Sequence, residues 1–131
     1  MNLALANAPR QAEQIDAIFA HGPSDPQLDR TESRMIARVL GPHAYRIPVT
    51  SIKGVTGNPM GAGGVHQVIA AALALRHGLV PPTANYDFPD PECDLDYVPK
   101  TPRVARLMAV MINAHGIGRG NSSLILERME R

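Results

Sequence analysis

"NPMGAGGVHQVIAAALALRHG", residues 58–78, predicts a helix over about residues 60–77 that ends at Gly78. Its large apolar side chains, at positions 65, 68, 69, 73 and 75, surround the helix axis, and the other positions between 69 and 75 are all alanine. A helix that is apolar on every side must be covered on every side. Two strands and one amphipathic helix in so short a chain can cover only part of it, so we expect a further element to pack there.

The rest of the chain predicts an α/β arrangement in which helices and strands alternate. Glycine ends two of the helices, and a proline-rich connection precedes the last two strands. Because the glycine-rich HGIGRG joins these two strands, we expect them to form an antiparallel hairpin. The predicted elements are a helix over about 3–9, the strand IDAIFAHG (15–22), the helix DRTESRMIARVLG (29–41), the strand RIPVTSI (46–52), the helix 60–77, the connection 81–102, and the strands RVARLMAVMINAHG (103–116) and NSSLILERM (121–129).

Composition indicates one globular domain, taken as residues 1–131, with a core of aliphatic side chains. Hydrophobic residues make up 44% of the chain, which is enough to build a core. Tryptophan is absent and aromatic residues are 4%, so few rings could stack on bases. The net charge of +1 comes from 13 basic and 12 acidic residues scattered along the chain, without a basic stripe. These features predict no nucleic-acid partner.

The chain carries no sequence signal for export or membrane insertion. The N-terminal residues MNLALANAPRQAEQ lack the basic start and long apolar run of a signal peptide. No stretch approaches the length needed to span a bilayer. We therefore expect a cytoplasmic protein without a membrane partner.

The thiol and imidazole content predicts no metal site. Cys93 is the single cysteine, which excludes an intrachain disulfide, and its acidic, proline-rich surroundings hold no basic neighbour that would make the thiol reactive. The five histidines show no matched ligand spacing, so no zinc site is expected.

The glycines at 61, 63 and 64 do not form a nucleotide-binding loop. The dinucleotide pattern G-x-G-x-x-G fails at His66, and Lys53 precedes the glycines, whereas a Walker A lysine follows them. Tight packing of the helix, which small residues allow, explains Gly63 and Gly64 at least as well as a functional role does.

Three polar residues allow both a structural and a functional interpretation. His21 ends the first predicted strand, where an isolated histidine is more often structural. Lys53 is one of two lysines and lies between a strand and the glycine loop; if buried it needs an anionic partner, for which Glu32 is the best candidate. A surface ion pair remains the alternative.

Four segments follow one another in an order and spacing that resemble the C-terminal half of the β-ketoacyl-acyl-carrier-protein synthases (ketosynthases) of the elongating type, in the thiolase-like superfamily. The resemblance extends from about residue 4 to 128. It implies half of a layered α-β-α-β-α fold with a mixed sheet and one buried central helix. In the family, the matching helix of the N-terminal half covers that central helix. The segments are AHGPSDPQLDRTE (20–32), VTSIKGVTGNPMGAGG (49–64), PPTANYDFPDPECDLDYVP (81–99) and NAHGIGRGNSSLIL (113–126).

The resemblance implies a decarboxylative Claisen condensation in fatty-acid or polyketide synthesis. A cysteine takes an acyl group as a thioester, and malonyl-carrier protein then loses CO₂ and attacks it. The family cysteine lies in the N-terminal half, which this sequence does not contain, and Cys93 matches no nucleophile position. The chain is therefore expected not to condense by itself. No cofactor is implied, because phosphopantetheine arrives on the acyl carrier protein, the implied partner.

Four positions match the family's site residues. His21 matches the first histidine, which polarises the malonyl thioester, while Lys53 and Glu32 match a pair that sets the electrostatics of the site. Ile117 occupies the position whose backbone N–H completes an oxyanion hole, a role that needs no particular side chain. Gly116 and Gly118 flank it in the gating loop.

The sequence departs from the family pattern in three places. Asn58 replaces the second histidine of the family triad. Asparagine can donate a hydrogen bond but cannot carry a proton. The related initiating synthases also have asparagine here, in a Cys-His-Asn triad, so the change is compatible with decarboxylation. The threonines that contact the carrier arm are Pro23 and Asp25, on either side of Ser24. In the gating loop, His115 and Ile117 each replace a phenylalanine of the family, and Arg119 replaces a glycine.

Two functional hypotheses follow from the resemblance. His21 and Lys53 favour a ketosynthase subunit, whereas the missing nucleophile and the altered arm and loop residues favour a non-catalytic scaffold of the chain-length-factor type. In either case we expect a homodimer, or a tight heterodimer with a cysteine-bearing half, through helices 60–77. Glutamate at Ala71 or Ala72 is expected to break that association.

Overall fold

The computed structural model describes residues 1–118 and 120–129. Short 3₁₀ turns at Ala12–Gln14, Gly41–Arg46 and Met60–Ala62 connect some of the elements. The helices are α1 (Asn2–Asn7), α2 (Pro26–Leu40), α3 (Lys53–Thr56) and α4 (Gly63–His77), and the strands are β1 (Ala17–Phe19), β2 (Val49–Thr50), β3 (Leu79–Val80), β4 (Arg103–Val104), β5 (Ala109–His115) and β6 (Asn121–Glu127).

A four-stranded mixed sheet in the order β2-β1-β5-β6 forms the centre of the fold. Strand β1 runs parallel to both β2 and β5, and β5 and β6 form an antiparallel hairpin. The predicted hairpin is therefore confirmed. The carboxyl ends of the three parallel strands lie at one edge of the sheet.

The prediction of one strand over 103–116 is wrong. The segment divides into β4, which pairs with β3 in a separate antiparallel ladder, and β5, which enters the main sheet. Strand β3 and the single-turn helix α3 were not predicted. Both are short, so neither contains enough residues to show a period in the sequence.

Local signals set the limits of α2. The side chain of Asp25 caps its N-terminus by accepting from the backbone N–H groups of Gln27 and Leu28 at 3.0 and 2.9 Å. Pro26, which needs no hydrogen-bond partner for its nitrogen, is the first helical residue. Gly41, with φ +58°, ends the helix as predicted.

The central strands are buried on both faces. Ile18 and Met111 pack with α2 on one face, while the neighbouring Phe19, Val110 and Ile112 pack with α4 on the other. Alternate residues of a strand point to opposite faces, so one short strand serves both helical layers. This explains why β1 is apolar without alternation.

The described part of the chain covers helix α4 on one side only. Ala71, Ala74 and Leu75 are buried against the sheet, whereas Val65 and Ile69 are 61% and 54% exposed. The apolar stripe, defined here as Val65, Ile69, Ala72 and Leu73, runs along the outward face. The expectation that the chain cannot cover this helix is confirmed, but Ala71 belongs to the core and is unsuited to probing the outward face. Among the described residues, no helix has the length and hydropathy to cross a membrane.

Candidate active site

Three predicted site residues, His21, Lys53 and Glu32, meet at the carboxyl edge of the sheet together with His115, which was not predicted as a site residue. His21 follows β1, Lys53 begins α3 just after β2, and His115 ends β5. Because these three strands are parallel, their ends bring side chains from distant parts of the sequence together. Glu32, on the second turn of α2, lies under this edge.

Glu32 is the most deeply buried charged group of the cluster, at 4% exposure. Its carboxylate accepts from the backbone N–H groups of His21 and Gly22 at 2.9 and 3.0 Å and from Asn113 Nδ2 at 3.2 Å. Burial alone would raise the pKa of Glu32, but the contact with His115 and the two backbone bonds together lower it. The carboxylate is therefore kept ionised.

His21 receives two donors at one ring nitrogen. Lys53 Nζ lies 3.0 Å from His21 Nδ1, and the backbone N–H of His115 donates to the same atom at 3.2 Å. Since a backbone N–H can only donate, Nδ1 carries no proton, and the neutral ring holds its proton at Nε2. Burial, followed by the charge of Lys53, lowers the pKa of His21. His21 is thus a neutral donor at Nε2, for which the described residues contain no hydrogen-bond partner.

The predicted direct pairing of Lys53 with Glu32 is not formed. Lys53 is 9% exposed, which rules out the surface-pair alternative, and its ammonium contacts the ring and the backbone oxygen of His21 instead. Burial lowers the pKa of Lys53, and the charges of Glu32 and Asp29 oppose that effect. Lys53 therefore contacts the ring of His21, while Glu32 accepts from its backbone N–H, and the two charged groups form no direct ion pair.

Two glycines of this region are required by close approach. A Cβ at Gly54 would lie 2.4 Å from the backbone oxygen of Ala84, and one at Gly22 would lie 2.7 Å from Ser51 Cβ. Neither space can hold a side chain. These glycines let the loop after β1 and the loop after β3 pack directly against the segment that carries Lys53.

Asn58 is exposed at the boundary between two cavities. A cavity of about 770 Å³ is lined by His21, Glu32, Asn58, His115 and Ile117, among others. A second, of about 550 Å³, lies on the side of Lys53 and also includes Asn58 in its wall. The structure thus places Asn58 and His21 in the wall of one cavity.

The loop predicted to act as a gate follows β5 and contributes to the wall of the larger cavity. Gly116 and Ile117 line it, and Ile117 is 93% exposed. Gly118, with φ +88°, forms the turn of the hairpin and does not belong to the cavity wall. Arg119 lies outside the described residues.

The carrier-arm positions have a mixed outcome. Pro23 lines both cavities, and Ser24 lines the smaller one with its backbone at φ +68°. Asp25 lines neither and is the N-cap of α2. The residue type at this position is therefore explained by helix capping.

Sequence reasoning missed His115 and Asn113 as site residues. Asn113 is 1% exposed and joins Glu32 to the hydroxyl of Ser123, which donates to its Oδ1 at 2.8 Å. His115 was noted only as a departure in the gating loop. Polar residues at the end of an apolar strand, next to a glycine loop, were the signal that could have identified them.

Asp29, one turn before Glu32, carries a carboxyl whose Oδ1 is buried without a hydrogen-bond partner among the described residues. Burial and the charge of Glu32 raise its pKa to about 6. The folded state therefore binds this proton more tightly than the unfolded chain does. Its stabilising effect is complete at low pH and is lost as the pH rises through about 6.

We expect Asp29→Asn to raise the free energy of unfolding at pH 7.5 by about 1 kcal/mol, a value reduced for solvent screening of a half-buried group. The gain should disappear at about pH 4, where the wild-type carboxyl is protonated in the folded state. Urea unfolding at both pH values measures it. The exposed Asp87→Asn is the control, and an equal effect of Asp29→Asn at both pH values would contradict the assignment.

Comparison with known proteins gives a consistent result. Residues 1–87 match the family described as "Beta-ketoacyl synthase, C-terminal domain". The chain is 46% identical over 131 residues to "Putative polyketide beta-ketoacyl synthase 1" of Streptomyces virginiae, covering 100% of this chain and 31% of the relative. The chain thus spans about a third of the length of the curated relatives it matches.

Solved structures agree with the sequence match. A type II polyketide synthase acyl-carrier protein in complex with its ketosynthase bound to the hexaketide matches with a TM-score of 0.96 and 32% identity, covering 98% of this chain and 32% of that one. The ishigamide ketosynthase/chain length factor matches with a TM-score of 0.93 and 36% identity, covering 98% and 32%.

Proposed function

The chain belongs to the β-ketoacyl synthase family, whose C-terminal domain it matches, and from this premise we propose that it supplies half of a site for decarboxylative condensation of acyl and malonyl thioesters. The resemblance read from the sequence is confirmed, as is the fold class, half of a thiolase-like layered α/β fold with a mixed sheet. The observation that carries the proposal is the His21 ring: its Nδ1 accepts from the backbone N–H of His115, which leaves the proton of the neutral ring at Nε2, and His21 lines the cavity shared with Asn58.

Decarboxylation is the step that these residues support. When the bond between the malonyl methylene carbon and the carboxylate breaks, CO₂ leaves and the electron pair moves into an enolate. The negative charge develops on the thioester oxygen, where His21 Nε2–H and Asn58 Nδ2–H can donate to it. Donors aimed at developing charge in a cavity lower the barrier without transferring a proton. The loss of a proton carrier at Asn58 is compatible with this step.

Before condensation, the acyl group must be transferred from its carrier thiol to a cysteine, and the described residues do not supply that nucleophile. The enolate carbon attacks the acyl thioester, and the cysteine sulfur leaves as a thiolate. Cys93 lies in the wall of the smaller cavity, and burial raises the pKa of its thiol, which disfavours the thiolate. We propose that a cysteine-bearing ketosynthase half provides the nucleophile and that the backbone N–H of Ile117 contributes to the oxyanion hole.

The acyl and malonyl groups are proposed to arrive on an acyl carrier protein, with phosphopantetheine as part of the substrate and no resident cofactor. One solved relative is described as a ketosynthase in complex with its acyl-carrier protein. Pro23 in the cavity wall, in place of a threonine, removes a hydroxyl that could hold the arm. The arm is therefore expected to bind less tightly than in relatives with the threonines.

The apolar stripe on α4 is proposed to pack against the matching helix of the cysteine-bearing half. In the family the two halves are pseudo-symmetric, so each provides one helix to the central layer. A second copy of this chain could present a similar surface across a twofold axis. It is the alternative partner for the apolar stripe, and an association measurement would detect it as a homodimer.

A scaffold of the chain-length-factor type is the second candidate function. Two features favour it: Asn58 cannot carry a proton, and Pro23 and Asp25 replace the arm-binding threonines. One solved relative is described as a ketosynthase/chain length factor. This function would use the same fold and the same helical interface without a condensation step in this chain.

Reconstitution distinguishes the two functions. The purified chain, incubated with acyl- and malonyl-carrier protein, should release no CO₂ above background and form no β-ketoacyl product. With a cysteine-bearing ketosynthase half added, both should be detected by radiolabelled CO₂ release and by mass spectrometry of the carrier protein. Turnover by the chain alone would contradict the proposal. A stable complex that releases no CO₂ would support the scaffold.

A further inference from the structure

The His115 ring lies against Glu32, Asn121 and His21. Its Nδ1 lies 2.7 Å from Asn121 Oδ1 on β6, and its Nε2 lies 3.6 Å from Glu32 Oε1 on α2. The side chain is 20% exposed. Because an oxygen acceptor faces each ring nitrogen, the arrangement favours a proton on both. The carboxylate of Glu32 and the amide of Asn121 therefore favour the imidazolium form of His115.

The same residue contacts His21 in two ways. Its backbone N–H donates to His21 Nδ1 at 3.2 Å, which sets the tautomer. The two rings meet edge to face, with centroids 5.1 Å apart and an interplanar angle of 75°. At this distance a cation opposes the protonation of its neighbour. His115 therefore sets the position of the His21 proton through its backbone N–H, and it adds to the effects of burial and Lys53 that oppose protonation of that ring.

The titratable groups around His115 are Glu32 on α2, His21 after β1 and Lys53 on α3. The contact with Glu32 raises the pKa of His115 against the effect of burial, and Lys53 lowers it. Lys53 and His115 also lower the pKa of His21, after burial, whereas Glu32 raises it. The negative charge of Glu32 thus favours protonation of both rings. Because Glu32 faces the ring nitrogen of His115, the protonated form of His115 is favoured over that of His21.

We propose that His115 is a positioning residue for His21: clamped between Glu32 and Asn121, it keeps His21 neutral, with its proton at Nε2 in the cavity. This inference rests on the proposed role of His21 as a donor to the thioester. The resemblance gives phenylalanine at this position, which would supply the backbone N–H and an aromatic edge but no charge. The charge is the property that His115 adds.

Titration of the two imidazoles by NMR in the full 131-residue chain, labelled with ¹⁵N-histidine, tests the proposal. In the wild type, Nδ1 of His21 should be unprotonated, and His115 should titrate at a higher pH than His21. His115→Phe keeps the backbone donor and removes the cation, so the midpoint of His21 should move to higher pH while its neutral tautomer stays the same. His115→Gln should move it in the same direction. His77→Gln, at an exposed position in the last turn of α4, is the control and should move nothing.

Two results would overturn the proposal. One is a His21 midpoint that does not move in either His115 variant. The other is a wild-type chain in which His21 titrates above His115, a measurement that requires no variant to fold. Neither result depends on turnover. A failure to detect condensation in the reconstituted complex would therefore contradict the proposed function without changing the outcome of the titration.

Discussion

In a complex with a cysteine-bearing ketosynthase half, Asn58→Ala is expected to slow malonyl decarboxylation about 10²-fold, the usual effect of removing one oxyanion donor. The Asn58 side chain is exposed to the cavity that it shares with His21 and has no hydrogen-bond partner among the described residues. Its removal therefore costs the fold little. The loss should appear in the rate of CO₂ release at saturating malonyl-carrier protein.

Matched variants make this result specific. Asn58→His should be tolerated, since an imidazole at this position can also donate to the thioester oxygen. Val55→Ala, in the neighbouring turn and 77% exposed, should leave the rate unchanged. A complex of Asn58→Ala that releases CO₂ at the wild-type rate would show that Asn58 is not a donor in the transition state.

Glutamate is expected to destabilise the fold at one position of α4 and to leave it folded at the adjacent position. Ala71 is fully buried against the sheet, so Ala71→Glu places an unpaired carboxylate in the core and should lower the free energy of unfolding by about 3–5 kcal/mol. Ala72 is exposed on the apolar stripe, so Ala72→Glu should leave the chain folded. Urea unfolding followed by circular dichroism measures the difference.

The association through α4 is tested with the same pair. Light scattering over a dilution series, with the chain alone and with the cysteine-bearing half, should show a complex in the wild type and its loss in Ala72→Glu. Ala72→Ser, which adds no charge, is the control. A folded wild-type chain that remains monomeric at all concentrations and with the half would contradict the proposed packing of the apolar stripe.

Several features of the fold could be predicted from the sequence because they depend on near neighbours. Gly41 and Gly78 end helices through backbone angles that disfavour other residues, with φ of +58° and +64°. The hairpin of β5 and β6 follows from two apolar segments and a glycine-rich turn. The exposed stripe on α4 follows from counting apolar positions around one helix. Each of these features depends on residues that lie close together in the sequence.

The segment 103–116 marks the limit of such reasoning. Its apolar residues suit a strand throughout, and the sequence does not show that β4 pairs with β3 whereas β5 pairs with β1. Pairing depends on which distant segment is adjacent, and residue periodicity contains no information about that. The length of a strand is therefore set by its partners.

By itself the sequence singled out His21, Lys53, Glu32 and Asn58 as candidate site residues, through the motifs that contain them, and their roles stay predictions. Only the tertiary structure decided how they are connected. Lys53 bonds to His21 and not to Glu32, and His115, 94 positions from His21, donates to its ring. The physical reason is that hydrogen bonds and charge interactions act over a few ångströms, and these distances are set by how the parallel strands end together at one edge of the sheet.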